Sequence, residues 1–353
     1  MSRLIQRQRA FSFAPRWQTV LDDYVQALAW STDGQTLAAA SIGGTIAWFS
    51  ADQGNASPVL GRHAFGASAL SWHPDRRRLA SSGQDGRVIL WDTHTGRILQ
   101  QWLGGTSWIE HVAWCPDQRH LAWSSGKTIM LARPGETAEA TPLGSLPSTI
   151  ADMCWAPGDA TLACAIYGGV WLWSPGQPMP LRTFPWKGSC ITVRWSPDRR
   201  FLATGDQDAT VHFWFTATGI DLRMSGFPGK VKTLSWDFSS RYLATGSGPC
   251  LAIWDCEGPS GPEGRSPILL EYQAATIRAL AYQPDGPWLA AGYQNGHVVL
   301  WEPAFSIDPL FSAGPFDGEI THVAWSPGGR QLAVGTSHGN LAVLDFTPKG
   351  NSP

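Results

Sequence analysis

The sequence predicts an all-β fold, in which one short unit is repeated eight times and closed into a single ring of four-stranded antiparallel sheets. Three observations predict it. An aromatic residue recurs at Trp30, Trp72, Trp114, Trp155, Trp195, Trp236, Tyr282 and Trp325, spaced by 42, 42, 41, 40, 41, 46 and 43 residues; so constant a period belongs to stacked or radially arranged units. Each anchor is followed by a turn such as HPDR, SPDR or SPGG, where Pro presets φ and Asp or Gly completes the reversal. Gly (38), Pro (26) and Trp (20) are abundant while charged residues are 15%, which suits many short strands joined by tight turns.

Within each unit the first strand ends at the anchor. A Leu seven residues on (Leu37, Leu79, Leu121, Leu162, Leu202, Leu243, Leu289, Leu332) opens a second strand rich in Ala, Ser, Thr and Gly. After a second turn, a third strand ends at Trp48, Trp91, Leu131, Trp173, Trp214, Trp254, Trp301 or Leu344, a composition suited to a packed strand. The segments between units supply a fourth strand, clearest at 97–103, 180–184 and 268–272. Four strands per period make the blade of a β-propeller. Seven anchor Trp and six third-strand Trp account for 13 of the 20, so most of this content is core; truncating one to Ala should cost about 3–5 kcal/mol.

The pattern resembles the WD40 repeat family, with ILWD in the unit at 67–93 and AIWD ending at Asp255. The resemblance covers essentially the whole chain. It implies a single closed propeller, divided into an N-terminal segment at 1–22, eight units at 23–346 and a tail at 347–353. Eight blades are expected, with seven as the alternative if the third or sixth unit lies outside the ring. Residues 17–21 (WQTVL) are expected to complete the last blade and so remove free sheet edges. Residues 258–267 are read as a solvated loop within unit six. The resemblance further implies a buried structural network of His63, Ser81, Asp85 and Trp91 in unit two. Other units lack it at the same offsets: unit one has Leu21, Ala39 and Gly43, unit five has Trp186, and unit eight has Phe316, Val334 and His338. Apolar packing is expected there.

Composition bounds the function. A net charge of −2, with five Lys among 26 basic residues, gives no field for holding nucleic acid or an anionic membrane. Six Cys without a CxxC pair read as free thiols, and the N-terminus carries no apolar run of signal-peptide length. A cytoplasmic protein is expected, a monomer outside its complex. The nine His show no HExxH or HxxxH spacing, so neither metal nor cofactor is expected, although a closed ring could bring Glu110, His111, Asp152 and His322 to the central channel.

In the first strands the apolar positions fall five and two residues before the anchor, as in Val25, Leu28 and Trp30. This odd step predicts a β-bulge that turns the neighbouring side chains to the channel mouth. The positions six and four before the anchor then share a rim, and they differ from unit to unit. Tyr24, Gln26, Trp108, Glu110, Lys230, Lys232, Arg278 and Glu319 are candidate protein-binding residues there, joined by Tyr167, Gln207 and Tyr293 from the turns after the second strands and by Trp186 and Lys187. Aromatics flanked by charge suit an interface. The expected function is a noncatalytic scaffold docking one or more proteins or peptides; the alternative is a propeller lyase, lactonase or hydrolase with a polar or metal site in the channel.

Overall fold

The computed structural model describes residues 10–54, 61–104, 108–136 and 139–348. Positions 1–9 of the N-terminal segment and 349–353 of the tail lie outside the described residues. Unit two shows the plan: Ala67–Trp72, Arg78–Gly83, Arg87–Asp92 and Arg97–Leu103 pair in chain order, each antiparallel to the last. The Leu seven residues past the anchor is the first or second residue of the second strand, one step from the expected opening in five units, and it faces a neighbouring sheet. All eight of these Leu are 0% exposed.

Hydrogen bonding divides the strands into seven sheets, the alternative count, and not eight separate ones. Six sheets have four strands, and units three and six each keep one of these. The difference arises at units four and five, which share one six-membered sheet. There Arg182–Trp195 is one uninterrupted strand: Arg182 to Ser189 pairs with unit four and Cys190 to Trp195 with unit five. The expected fourth strand at 180–184 therefore begins two residues later and runs on. Its partner Leu162–Trp173 likewise passes through Gly168 and Gly169, at φ of 110° and 121°, a conformation glycine adopts without a side-chain clash.

The anchors do more than fill space. The indole Nε1 of Trp72 donates to Ala29 O at 2.9 Å, Trp155 to Ala113 O at 3.2 Å, Trp195 to Cys154 O at 3.3 Å and Trp325 to Ala281 O at 3.0 Å. Each bond reaches the carbonyl just before the preceding unit's anchor. Trp30 donates to Ala324 O at 2.9 Å, so the same bond joins the first unit to the last. Trp114, Trp236 and Tyr282 are exceptions, with buried polar atoms that find no partner. The residue at which they would aim is Ser71, Arg194 or Ser235, not Ala or Cys. Ser71 and Ser235 instead accept the backbone N–H of Trp114 and Tyr282 through Oγ, at 3.0 and 2.9 Å.

The closing strand is longer than expected, Phe11–Val20, and pairs with Asn340–Pro348. Phe11 stacks on Phe346 at 5.0 Å, Trp288 meets both rings, and Arg16 bridges Asp52 (2.8 Å) and Asp345 (2.9 Å). The fourth strand of unit six is Ile268–Leu270, two residues shorter than expected. The preceding loop is not wholly solvated: Gly261 and Pro262 are buried, with Gly261 against Phe213.

The network of unit two is formed. His63 Nδ1 meets Asp85 Oδ1 at 2.9 Å, its Nε2 meets Ser81 Oγ at 2.9 Å, and Trp91 Nε1 donates to Ser81 Oγ at 2.8 Å. Burial pushes the His63 imidazole below its ordinary value against the pull of Asp85. Apolar packing alone does not replace this network elsewhere. In unit one Asp22, next to Leu21, accepts from Ser41 and Thr45, both at 2.7 Å. In unit six Trp254 Nε1 donates to Thr245 Oγ1 at 3.0 Å, in unit seven Asn295 donates to Gln273 at 3.1 Å, and in unit eight His338 meets Asp317 at 2.9 Å.

Candidate protein-binding face

The bulge that the odd apolar step implies occurs in six first strands. Pairing with the second strand jumps between Val25 and Ala27, Ala67 and Ala69, Ile150 and Asp152, Cys190 and Thr192, Ile277 and Ala279, and Ile320 and His322. The skipped residue is the one four before each anchor, Gln26 and Arg278 among them. In units three and six the first strands, Val112–Trp114 and Thr233–Trp236, begin after that point.

Trp108 is 60% and Tyr167 63% exposed; Glu110, Lys187, Gln207, Lys230, Lys232 and Arg278 are also exposed, and Tyr24, Gln26 and Glu319 half-buried. Arg278 is not free, since it pairs with Glu319 at 2.8 Å. Lys230 and Lys232 form no ion pair among the described residues.

Two candidates turn inward. Tyr293 is wholly buried, its ring 5.3 Å from Tyr272, and burial drives its hydroxyl pKa up. It lies eleven residues past its anchor, where Ile166 and Asp206 are also buried, whereas Tyr167 and Gln207 lie at twelve and face outward. One step along a strand reverses the side chain. Trp186 is half-buried, its ring 3.8 Å from that of His212, and so fills the space that His63 occupies in unit two. Conversely, Ile42 (41% exposed) and Phe65 (74%) belong to this face: Ile42 N bonds Tyr24 O, and Gly66 O accepts from Gln84 N. Ile42 shares the outward position of Tyr167, the signal that could have found it.

Glu110, His111, Asp152 and His322 line one channel-mouth cavity of about 480 Å³ with Gln26 and Trp108. A residue not anticipated there is Arg194. Positions just before the anchor are Ala, Ser or Cys in every other unit, so Arg194 is the one large side chain at that position, and it also lines this cavity. Its Nη1 donates to Asp152 Oδ2 at 2.6 Å and to Val193 O at 2.6 Å. Burial would raise the Asp152 carboxyl, but Arg194, His111 and donors from Val193 and Thr192 hold it below its ordinary value. Desolvation drives the His322 imidazole down to about 4. Among the described residues no three His, Cys, Asp or Glu side chains are grouped to hold a metal ion. No helix among them is long and apolar enough to cross a membrane.

Comparison with known proteins agrees with this architecture. The family described as WD domain, G-beta repeat matches residues 18–50, 56–92, 179–214, 222–255 and 268–302. The chain belongs to the WD40 repeat family. Protein FIZZY-RELATED 3 of Arabidopsis thaliana is 25% identical over 161 residues, 43% of this chain and 33% of that protein. The F-box-like/WD repeat-containing protein TBL1X of Mus musculus is 32% identical over 111 residues, 31% of this chain and 21% of its own length. This WD40 chain thus spans a third or less of these relatives. The crystal structure of the computationally designed Ika8 protein is similar at a TM-score of 0.80 and 18% identity, covering 94% of this chain and 99% of that one, a likeness of fold alone.

Proposed function

We propose that this WD40 protein is a noncatalytic docking platform whose protein partner binds on the face carrying Trp108, Tyr167, Lys230 and Lys232. The observation that carries this reading is a set of exposed aromatic and basic side chains at positions that vary from unit to unit on a frame that repeats. Exposed Trp and Tyr are the side chains that interface hot spots favour, and Ile42 and Phe65 extend the apolar part of this face. WD-repeat relatives support a scaffold role. The six cysteines are free, which fits a reducing compartment, and we place the protein in the cytoplasm. Arg278 is left out of the basic patch because Glu319 neutralises it.

The test compares tagged wild type with Lys230→Glu/Lys232→Glu and, separately, Trp108→Ala, by affinity capture and mass spectrometry followed by a binding assay with the purified partner. Each variant should weaken binding at least about 10-fold while the melting temperature stays unchanged, since exposed substitutions rarely move stability. Undiminished binding by both variants would refute this choice of face.

A further inference from the structure

Asp206 occupies the inward-facing position eleven residues beyond the unit-five anchor, where the other units have Ser, Gly, Ile, Tyr or Thr. It is wholly buried, and no ion pair reaches it among the described residues. Thr204 Oγ1 donates to its Oδ1 at 3.0 Å. Its Oδ2 lies 3.1 Å from Thr210 Oγ1, which lies 2.8 Å from Asp208 Oδ1. The Thr210 hydroxyl has one proton and stands between two carboxyl oxygens. Only if one acid is itself protonated are both contacts hydrogen bonds, and the buried one is Asp206, because a charge is costlier away from water.

We propose that Asp206 and Thr210 form a proton-operated switch on this face. With Asp206 neutral, its Oδ2–H donates to Thr210, whose own proton holds Asp208 against the turn. With Asp206 ionised, the Thr210 hydroxyl rotates inward to the new carboxylate and Asp208 is released to solvent. Cys190 on the paired strand and Asp208 in the turn act on Asp206. His212 on the third strand pairs opposite Thr204 and meets Asp221, and Lys230 and Lys232 flank Val231, whose N–H donates to Asp206 O at 3.2 Å, so that among the described residues no cation forms an ion pair with Asp206. Burial first, and Asp208 after it, drive the Asp206 carboxyl up to about 6 against the bonds from Cys190, Thr204 and Thr210. Ionisation adds one negative charge in the turn region that Val231, between Lys230 and Lys232, bonds through its backbone, and frees a second. That consequence for docking rests on the proposed function; the switch does not.

The experiment follows the full chain from about pH 4 to about pH 8 by the infrared band of protonated carboxyls and by urea unfolding, for wild type, Asp206→Asn and Asp208→Asn. A folded-state value above the ordinary 3.8 means that stability relative to Asp206→Asn is highest at low pH and is lost as pH rises through about 6. The gap corresponds to about a 100-fold fall in the folding equilibrium ratio of wild type to Asp206→Asn. A wild-type carboxyl band should vanish with a midpoint near 6 and be missing from Asp206→Asn, and Asp208→Asn should move that midpoint down. A band that vanishes at the ordinary carboxylate value, or a midpoint indifferent to Asp208→Asn, overturns the switch. If Asp206→Asn does not fold, the infrared titrations of wild type and Asp208→Asn decide the matter. Partner capture by Lys230→Glu/Lys232→Glu separately tests the docking reading.

Discussion

Trp72 and Trp236 occupy the same place in their units and are each 8% exposed, yet only Trp72 bonds the preceding unit through its indole, to Ala29 O at 2.9 Å. Trp236 Nε1 is buried without a partner, its ring held by Phe201 and Phe213 at 6.0 and 5.9 Å. Replacing each by Phe removes similar volume and similar apolar area, so the cavity contribution largely cancels between the two. What remains is a hydrogen bond. Trp72→Phe strands a carbonyl between units, at a cost of about 1–3 kcal/mol, whereas Trp236→Phe removes a donor that was already unsatisfied. Trp72→Phe should therefore be less stable than Trp236→Phe by about 1–2 kcal/mol, or about 5–30-fold in the folding equilibrium constant. Urea unfolding followed by circular dichroism, with the two variants compared at a common slope, measures that difference. Equal losses would mean that the indole bonds contribute nothing to holding the ring together.

Removing residues 1–22 strips Phe11, Phe13 and Trp17 from the last sheet and leaves Asn340–Pro348 as an open edge; a loss of at least about 3 kcal/mol and concentration-dependent aggregation are expected, and an unchanged melt would contradict the closure. His63→Ala should cost about 1–3 kcal/mol by breaking a buried network, while Gln273→Ala, whose residue is exposed in the equivalent place, should stay within about 0.5 kcal/mol; thermal melts compare them. The imidazoles of His63 and His322 are both pushed below 6.5 by burial, so their contribution is full above pH 6.5 and is lost as pH falls toward about 4 for His322. His322→Gln should accordingly flatten the acid limb of the stability profile, and a limb as steep as that of wild type would refute it.

The sequence made the frame legible because the frame is periodic. Anchor, turn and Leu recur at fixed offsets, and even the bulge could be read from the odd step between Val25 and Leu28. The count of sheets was harder, since it depends on whether a connection turns or stays extended, and PWKGSC at 185–190 contains Pro and Gly yet stays extended. The candidate face was legible where an offset fixed the orientation of a side chain, as for Tyr167 and Gln207. It failed at Tyr293, one residue earlier and so on the opposite side of its strand. The substitute polar ties were missed for a related reason. Asp22, Trp254 and Asp317 stand one residue away from the offsets of unit two, because small changes in turn length relocate the residue without losing the contact. Arg194 was visible as the one large member of a small-residue column, but that column means something only once it is known to line a channel.

The shared sheet of units four and five lies half a turn of the ring from the seam where Phe11–Val20 clasps Asn340–Pro348. The seam is a clasp of hydrogen bonds between distant parts of the chain; the shared sheet is a splice, one strand whose first half pairs with the unit before and whose second half pairs with the unit after. When the clasp frays, the first and last units remain joined by the Trp30 bond to Ala324 O. Units four and five stay tied through the continuous Arg182–Trp195 strand whether or not the clasp is closed.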